Sequence, residues 1–202
     1  MQPIAIVGLE WDVVDLIESL GLYRIVGFFE ASAECATRDF TYLGGDEAWL
    51  RIREEIPELR IALAIDHPAA RARLFGYYGA AAILLQSAAA YISARASVGV
   101  GSIVQRGVTV MPHAQIGAAC KLNVNCAVHH DVKIGSFSTL APGSQVLGNV
   151  TVEERVYIGA GAVIRQRCRI GEGALVGAGA VVVEDVPPGA VVVGVPANRR
   201  LR

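Results

Sequence analysis

The sequence predicts a chain in two parts, a small α/β unit at the amino terminus followed by a coil of short parallel strands. Two patterns carry this expectation. From Ile92 through Val98, Val104, Val110 and Ile116 onward to Val182, every sixth residue is aliphatic without a break, and four places further on in each step stands a small residue or valine, as at Ser102, Ala114, Cys120, Cys126, Ser138, Ala162 and Cys168. Over residues 1–86, by contrast, short apolar strands alternate with helical patterns, which points to a small parallel sheet with helices between its strands.

Taken in chain order, residues 4–7 read as a first apolar strand and residues 8–11 as a turn. A helix follows with Asp12 at its N-cap and Gly21 near its end. A second strand covers 24–29, a helix capped by Asp46 runs over 46–56, a third strand covers 60–65, a helix 68–77 and a fourth strand 81–85. The boundary falls at 86–91, so the expected domains are 1–86, a Rossmann-like α/β domain, and 87–202, the coil. In the coil, a period of six fits neither the 3.6 of a helix nor the 2 of an ordinary strand. It describes short flat strands joined at tight corners, three to a turn, with one aliphatic and one small residue pointing inward per strand. The glycines that follow the aliphatic positions, Gly99, Gly117, Gly135, Gly159, Gly171 and Gly177, suit corners that need either a positive φ or a backbone free of a Cβ.

Composition narrows the partners. The chain has 202 residues, is 53% hydrophobic and carries a net charge of -1, so no general attraction to nucleic acid or to an anionic membrane is expected. No apolar run approaches the roughly 20 residues of a membrane span. The start of the chain lacks a basic segment followed by a cleavable apolar stretch, and a cytoplasmic location is the expectation. Cys35, Cys120, Cys126 and Cys168 have no paired-cysteine spacing, and the last three occupy the small inward register. They are expected to be buried apolar residues, neither disulfides nor metal ligands.

The repeat, together with the segments LNVNCAVHHDVKIGSFSTLAPGSQVLGNVTV and GAGAVVVEDVPPGAVVVGVPA, resembles the hexapeptide-repeat acyltransferases, most strongly from about Asn123 onward. The resemblance implies a left-handed parallel β-helix, against the usual right-handed crossover. An α/β unit ahead of such a coil is similar to the branch that acetylates amino groups of nucleotide-linked amino sugars, or hydroxyls of sialic acid. It implies acetyl-CoA as co-substrate, no metal, a homotrimer, and a role in surface-glycan synthesis.

In that family a histidine followed by an acidic residue, four places before Ile-Gly, is the general base. Here the match is His130-Asp131 ahead of Ile134-Gly135, and the spacing favours His130 over its neighbour His129. With 18 residues per coil and adjacent coils about 4.8 Å apart, His130 stacks between Pro112 below and Gly148 above. The glycine leaves open space beside the base, and its N–H faces a developing oxyanion. Two roles are open to Asp131: to orient His130, or to pair with His113 one coil below. Direct transfer needs the base alone, whereas an acyl-enzyme route needs a positioned nucleophile. Cys126 is close in sequence but points inward.

The resemblance also implies coenzyme contacts at Ala160 and Ala178, and it puts Thr139 where a second family histidine often stands. Arg165, Arg167, Arg169, Arg199, Arg200 and Arg202 are either phosphate partners or ordinary solvated surface. On the acceptor side the family's glycine-rich first loop is reduced to Gly8, followed by Glu10 and Trp11. Negative charge at a helix start opposes a phosphate there. Glu30 and Asp66 follow the second and third strands and are candidates to hydrogen-bond a base or ribose. Asn123, near the start of the segment that carries the resemblance, is a further acceptor candidate. Trp11 either stacks on the acceptor or plugs the pocket as core. Zinc carbonic anhydrases built on the same coil need three histidines, two of them five residues apart. His67, His113, His129 and His130 contain no such spacing. An O-acetyltransferase and a non-enzymatic trimeric scaffold are the alternative readings.

Overall fold

The structure is a computed structural model that describes residues 1–32, 37 and 39–199, with backbone alone at 199. Cys35, Arg200, Arg202 and the side chain of Arg199 lie outside the described residues.

The amino-terminal unit is a four-stranded parallel sheet in the order β3-β2-β1-β4, with β1 at Gln2–Val7, β2 at Tyr23–Phe29, β3 at Tyr42–Gly44 and β4 at Arg60–Leu63. Strand β1 lies between β2 and β4 and is buried from Pro3 onward, which is why its sequence is apolar without alternation. Helix α1 (Trp11–Leu20) buries Val13, Val14, Leu16 and Ile17 and ends at Gly21, whose φ of 63° closes the helix in the left-handed region. Its N-cap is Glu10, two residues earlier than expected, so Asp12 lies inside the first turn. The expected helix over 46–56 is divided: Asp46–Ala48 is a 3-10 turn and α2 covers Trp49–Glu55. Asp46 is not the cap: it lies inside the 3-10 turn, whose N-cap is Gly45, and its carboxylate accepts a hydrogen bond from Tyr78 Oη at 2.9 Å. Helix α3 (Pro68–Tyr78) starts as proline at N1 favours, with His67 Nδ1 accepting from Ala70 N. Strand β3, three residues long, left no readable period.

The expected fourth strand over 81–85 does not form as one element. Ala82 makes a single parallel bridge to Ile61, while Leu85–Gln86 already pairs with Ile103–Val104 as the first strand of the coil. Apolar residues over this stretch serve both cores, so hydropathy does not mark the crossing.

Beyond it, two-residue strands recur every six residues and stack in three parallel sheets. Face one carries Leu85–Gln86, Ile103–Val104, Lys121–Leu122, Thr139–Leu140, Tyr157–Ile158 and Leu175–Val176. Face two runs from Tyr91–Ile92 through Ala127–Val128 to Val181–Val182, and face three from Ser97–Val98 through Lys133–Ile134 to Arg169–Ile170. Each strand pairs with the one 18 residues away, for example Lys121 with Thr139 and Ile116 with Ile134. Both inward registers form one continuous core, in which Cys120, Cys126 and Cys168 are buried free thiols. The stacked parallel faces fit a left-handed β-helix.

The corners divide the two roles expected of glycine. At Gly117, Gly135 and Gly159 no positive φ is needed; a Cβ would come within 2.5 to 2.6 Å of backbone in the next coil. Positive φ falls two residues later in the step, at Ala119 (48°), Phe137 (65°) and Gly161 (65°). Gly148 belongs to neither set: a Cβ there would meet a side chain, that of His130.

Candidate active site

The corner between faces two and three repeats His113, Asp131, Asn149 and Arg167, all with φ between 59° and 67°. Asp and Asn tolerate this region better than most residues. One place earlier stand Pro112, His130, Gly148 and Gln166. Asp131 N donates to Pro112 O at 3.2 Å and Asn149 N to His130 O at 3.1 Å, so the 18-residue stacking holds at this corner.

His130 Nδ1 lies 2.9 Å from Asp131 Oδ2, with both side chains about half exposed. Of the two roles open to Asp131, the geometry takes the first: its carboxylate stands on His130, and among the described residues His113 forms no ion pair with it. A carboxylate on Nδ1 favours the tautomer with the proton there, leaving the Nε2 lone pair free. The ring leans over Gly148, where a Cβ would stand 2.7 Å from both Nε2 and Cε1. Among the described residues no acceptor takes the Gly148 N–H.

His129, His130, Leu147, Gly148, Asn149, Gln166 and Arg167 line an opening of about 370 Å³. A second, of about 530 Å³, shares Gln166 and Arg167 with it and adds Arg165, Cys168, Glu184 and Asp185. Together they make a trough rising from His130 over the next coils, with Arg165 and Arg167 on its wall. Arg169 is engaged elsewhere, paired with Glu153. Cys126 is fully buried and desolvation pushes its thiol up to about 12. That rules it out as a nucleophile at neutral pH.

Ala160 and Ala178 are exposed at a different corner, between faces one and two, where Gly179 N donates to Ala160 O at 2.8 Å. One chain therefore does not bring them to His130. Thr139 is a correction. It is fully buried, donating to Asp66 O at 2.8 Å and accepting from Arg71 at 2.9 Å, because the α/β unit sits on it. No coenzyme reaches its hydroxyl.

The acceptor candidates gather at the carboxyl ends of β1, β2 and β4. Gly8 has φ 76°, and a Cβ there would lie 2.3 Å from Ile65 Cδ1. Glu30 accepts from Leu9 N at 3.3 Å and so ties the first loop to the second. Glu10 is ion-paired with Lys121, whose side chain is only 2% exposed and also lies 3.1 Å from Asp66 Oδ1. Burial raises the Glu10 carboxyl above its ordinary range, against the opposing pull of Lys121. Trp11 does not plug the pocket as core: it is 52% exposed, with its ring 6.0 Å from that of Phe40. Asn123 is buried at the end of a face-one strand, with little side chain to offer an acceptor.

Beside this cluster a groove of about 460 Å³ runs between Asp66, His67, Pro68 and Ala69 of the α/β unit and Arg155, Tyr157, Gly173 and Leu175 of the coil. Sequence reasoning missed Lys121, Tyr157 and Arg155. The 18-residue step places Lys121, Thr139 and Tyr157 in one column, but nothing in the sequence says that the α/β unit covers it. The α/β unit docks on face one, and His130 is at the corner between faces two and three. In a three-sided coil that corner lies across the prism from face one.

The family model "Bacterial transferase hexapeptide (six repeats)" matches residues 131–166 and 149–184. GDP-perosamine N-acetyltransferase of Escherichia coli O157:H7 is 36% identical over 110 residues, 52% of this chain, and the match spans about half (50%) of that protein's length. The acetyltransferase domain of PglB from Neisseria gonorrhoeae FA1090, in complex with acetyl coenzyme A, is 28% identical with a TM-score of 0.91, covering 98% of this chain and 99% of that one. A GDP-perosamine N-acetyl transferase from Caulobacter crescentus with a histidine replaced by alanine, in complex with CoA and GDP-perosamine, gives 28% identity and a TM-score of 0.92, covering 100% of this chain and 98% of that one.

Proposed function

The chain belongs to the hexapeptide-repeat transferases, and from that premise we propose that it transfers acetyl from acetyl-CoA to the amino group of a nucleotide-linked amino sugar. His130 is the general base. The observation that carries the proposal is the corner itself, a histidine oriented by Asp131 at 2.9 Å with its other nitrogen over a glycine whose N–H is free. A neutral imidazole at Nε2 takes a proton from the acceptor nitrogen as that nitrogen attacks the thioester carbonyl. The carbonyl oxygen gains negative charge beside the Gly148 N–H, and the tetrahedral adduct collapses by breaking the C–S bond with coenzyme A thiolate leaving. Asp131 holds the tautomer and stabilises the imidazolium that forms. Arg165 and Arg167 on the trough wall suit the coenzyme's phosphates.

Acceptor loops and base lie on opposite sides of one prism, and Ala160 and Ala178 lie at a corner away from His130. Both separations support a homotrimer in which the acceptor unit and coenzyme corner of one copy meet His130 of the next. The Rossmann-like unit then reads the nucleotide sugar through Gly8, Glu10, Trp11, Glu30 and Asp66, in the cytoplasm, where acetyl-CoA is at hand.

Mass spectrometry with acetyl-CoA tests this on GDP-perosamine, other nucleotide-linked amino sugars, free amino sugars and sialic acid. One acetyl group gained on an amino sugar, and lost in His130→Ala, is expected. Acetylation on a hydroxyl instead would move the function to O-transfer. Turnover unchanged in His130→Ala would sink His130 as base, and no acetyl-CoA binding at all would favour a scaffold.

A further inference from the structure

The junction between the two units holds a charge that, among the described residues, no carboxylate hydrogen-bonds. Arg71, on α3, is fully buried, and every hydrogen bond it makes among the described residues goes to an uncharged oxygen. Nε donates to Ala119 O at 2.7 Å. Nη1 donates to Ile65 O at 2.6 Å and to Asp66 O at 3.2 Å. Nη2 donates to Phe137 O at 2.7 Å, Ser138 O at 2.9 Å and Thr139 Oγ1 at 2.9 Å.

Two of these six partners belong together for a structural reason. Ala119 and Phe137 are the positive-φ corner residues of successive coils, and the ladder between coils brings no backbone donor to their carbonyls. A buried unpaired carbonyl is costly, so this corner tolerates cover only from a group with several donors in one plane. Ser138 O and Thr139 Oγ1 follow on the same coil, and the remaining two, Ile65 O and Asp66 O, belong to the loop that follows β4, which carries the acceptor candidate Asp66 and one wall of the 460 Å³ groove. One planar guanidinium therefore spans from the coil corner to the acceptor loop. Burial pulls Arg71 down to about 10, which leaves it charged at neutral pH. A lysine ammonium has three donors on a point charge and cannot match the fork.

We propose that Arg71 is a positioning residue for acceptor binding: it fixes the height and angle of the loop at Ile65 and Asp66 over face one, and thereby sets the width of the groove between that loop and Tyr157. It touches neither the trough nor His130. Its kinetic meaning rests on the acetyl-transfer function proposed above, whereas its structural meaning does not.

The test uses the full chain with Arg71→Lys and, as the charge-free variant, Arg71→Met. For Arg71→Lys, the KM for the acceptor should rise about tenfold or more, with kcat at saturating acceptor changed less than about threefold, the pattern of lost ground-state binding. The affinity for acetyl-CoA, read by calorimetry without acceptor, should stay at the wild-type value in both variants. Amide hydrogen exchange read in parallel should speed up in peptides over 64–71 and stay unchanged over 147–167. A wild-type acceptor KM in both variants would overturn the proposal, and so would acetyl-CoA affinity falling by the same factor as acceptor affinity, which would make Arg71 a residue of the whole fold. If the wild type acetylates no acceptor, the function falls and exchange alone decides: unchanged exchange over 64–71 in both variants would overturn the positioning role.

Discussion

Replacing Gly148 by alanine is the most direct probe of the corner. The new Cβ would stand 2.7 Å from His130 Nε2 and Cε1. Ordinary contact begins near about 3.5 Å, so the imidazole must retreat by roughly 0.8 Å. It can do so, because its side chain is half exposed and only Asp131 holds it. The cost to folding should therefore stay within about 0.5 kcal/mol. The cost to chemistry should be larger, since a misplacement of about 1 Å in a reacting group is worth up to about 100-fold. A loss of about 10- to 100-fold in kcat follows, or roughly 1.4–2.7 kcal/mol of barrier. Steady-state kinetics and a melting curve on the same sample measure both. In a His130→Ala background the glycine substitution should add nothing, because the contact no longer exists. Wild-type turnover in Gly148→Ala would refute the steric argument. An equal loss in the His130→Ala background would refute the route through the imidazole and place the effect on the thioester.

Two coil glycines should separate the two reasons for glycine. Gly159→Ala puts a Cβ 2.5 Å from Ala178 N and should cost about 1–3 kcal/mol as overpacking, while Gly173→Ala meets open space at φ 65° and should cost only about 1 kcal/mol of backbone strain; denaturant melts that reverse this order would refute the division of roles. Glu153 accepts from the backbone N–H of Glu172 and from Arg169, and these hold its carboxyl below the ordinary range. A depressed folded-state value adds stability above the unfolded one near 4.5 and loses it as pH falls through the folded one. Glu153→Gln should flatten the acid side of the Tm profile, and an unchanged acid side would contradict this. Sedimentation should give three times the 21.3 kDa chain mass, and an active monomer would refute a site shared between copies.

The coil was legible because its constraint repeats. Each strand needs one aliphatic and one small residue inward, so an error in register at Val98 or Leu122 would have shown at every later stop. The 18-residue step also carried His130 onto Gly148 without coordinates. The short elements were less legible. Strand β3 has three residues, and the apolar stretch at Ala82 to Leu85 is divided between two cores, where period and hydropathy have no grip. The junction was not legible at all. Lys121 and Arg71 are residue types that composition assigns to the surface, and they are buried because the α/β unit covers face one, a fact about tertiary docking. Thr139 was misassigned for the same reason.

The docking also bears on why the first loop departs from the family pattern. In an open parallel sheet the ligand crevice lies where neighbouring connections diverge, outside the carboxyl ends of the strands. With order β3-β2-β1-β4 that place is between β1 and β4. Here the loop after β1 supplies Glu10, the loop after β4 supplies Asp66, and Lys121 of the coil reaches up between them. Two carboxylates around one buried ammonium leave no net positive charge to welcome a phosphate. A glycine-rich loop would present backbone N–H groups at the same place without a countercharge. What the cluster gains instead is a rigid tie between the strand ends and face one, which leaves the neighbouring groove, walled by His67, Pro68 and Tyr157, as the open space beside the loops that follow β1 and β4. The base proposed at His130 and the acceptor reader proposed around Glu10 and Asp66 thus rest on different physical requirements. The first needs an open corner and the second a filled crevice, so one can change in sequence while the other is kept.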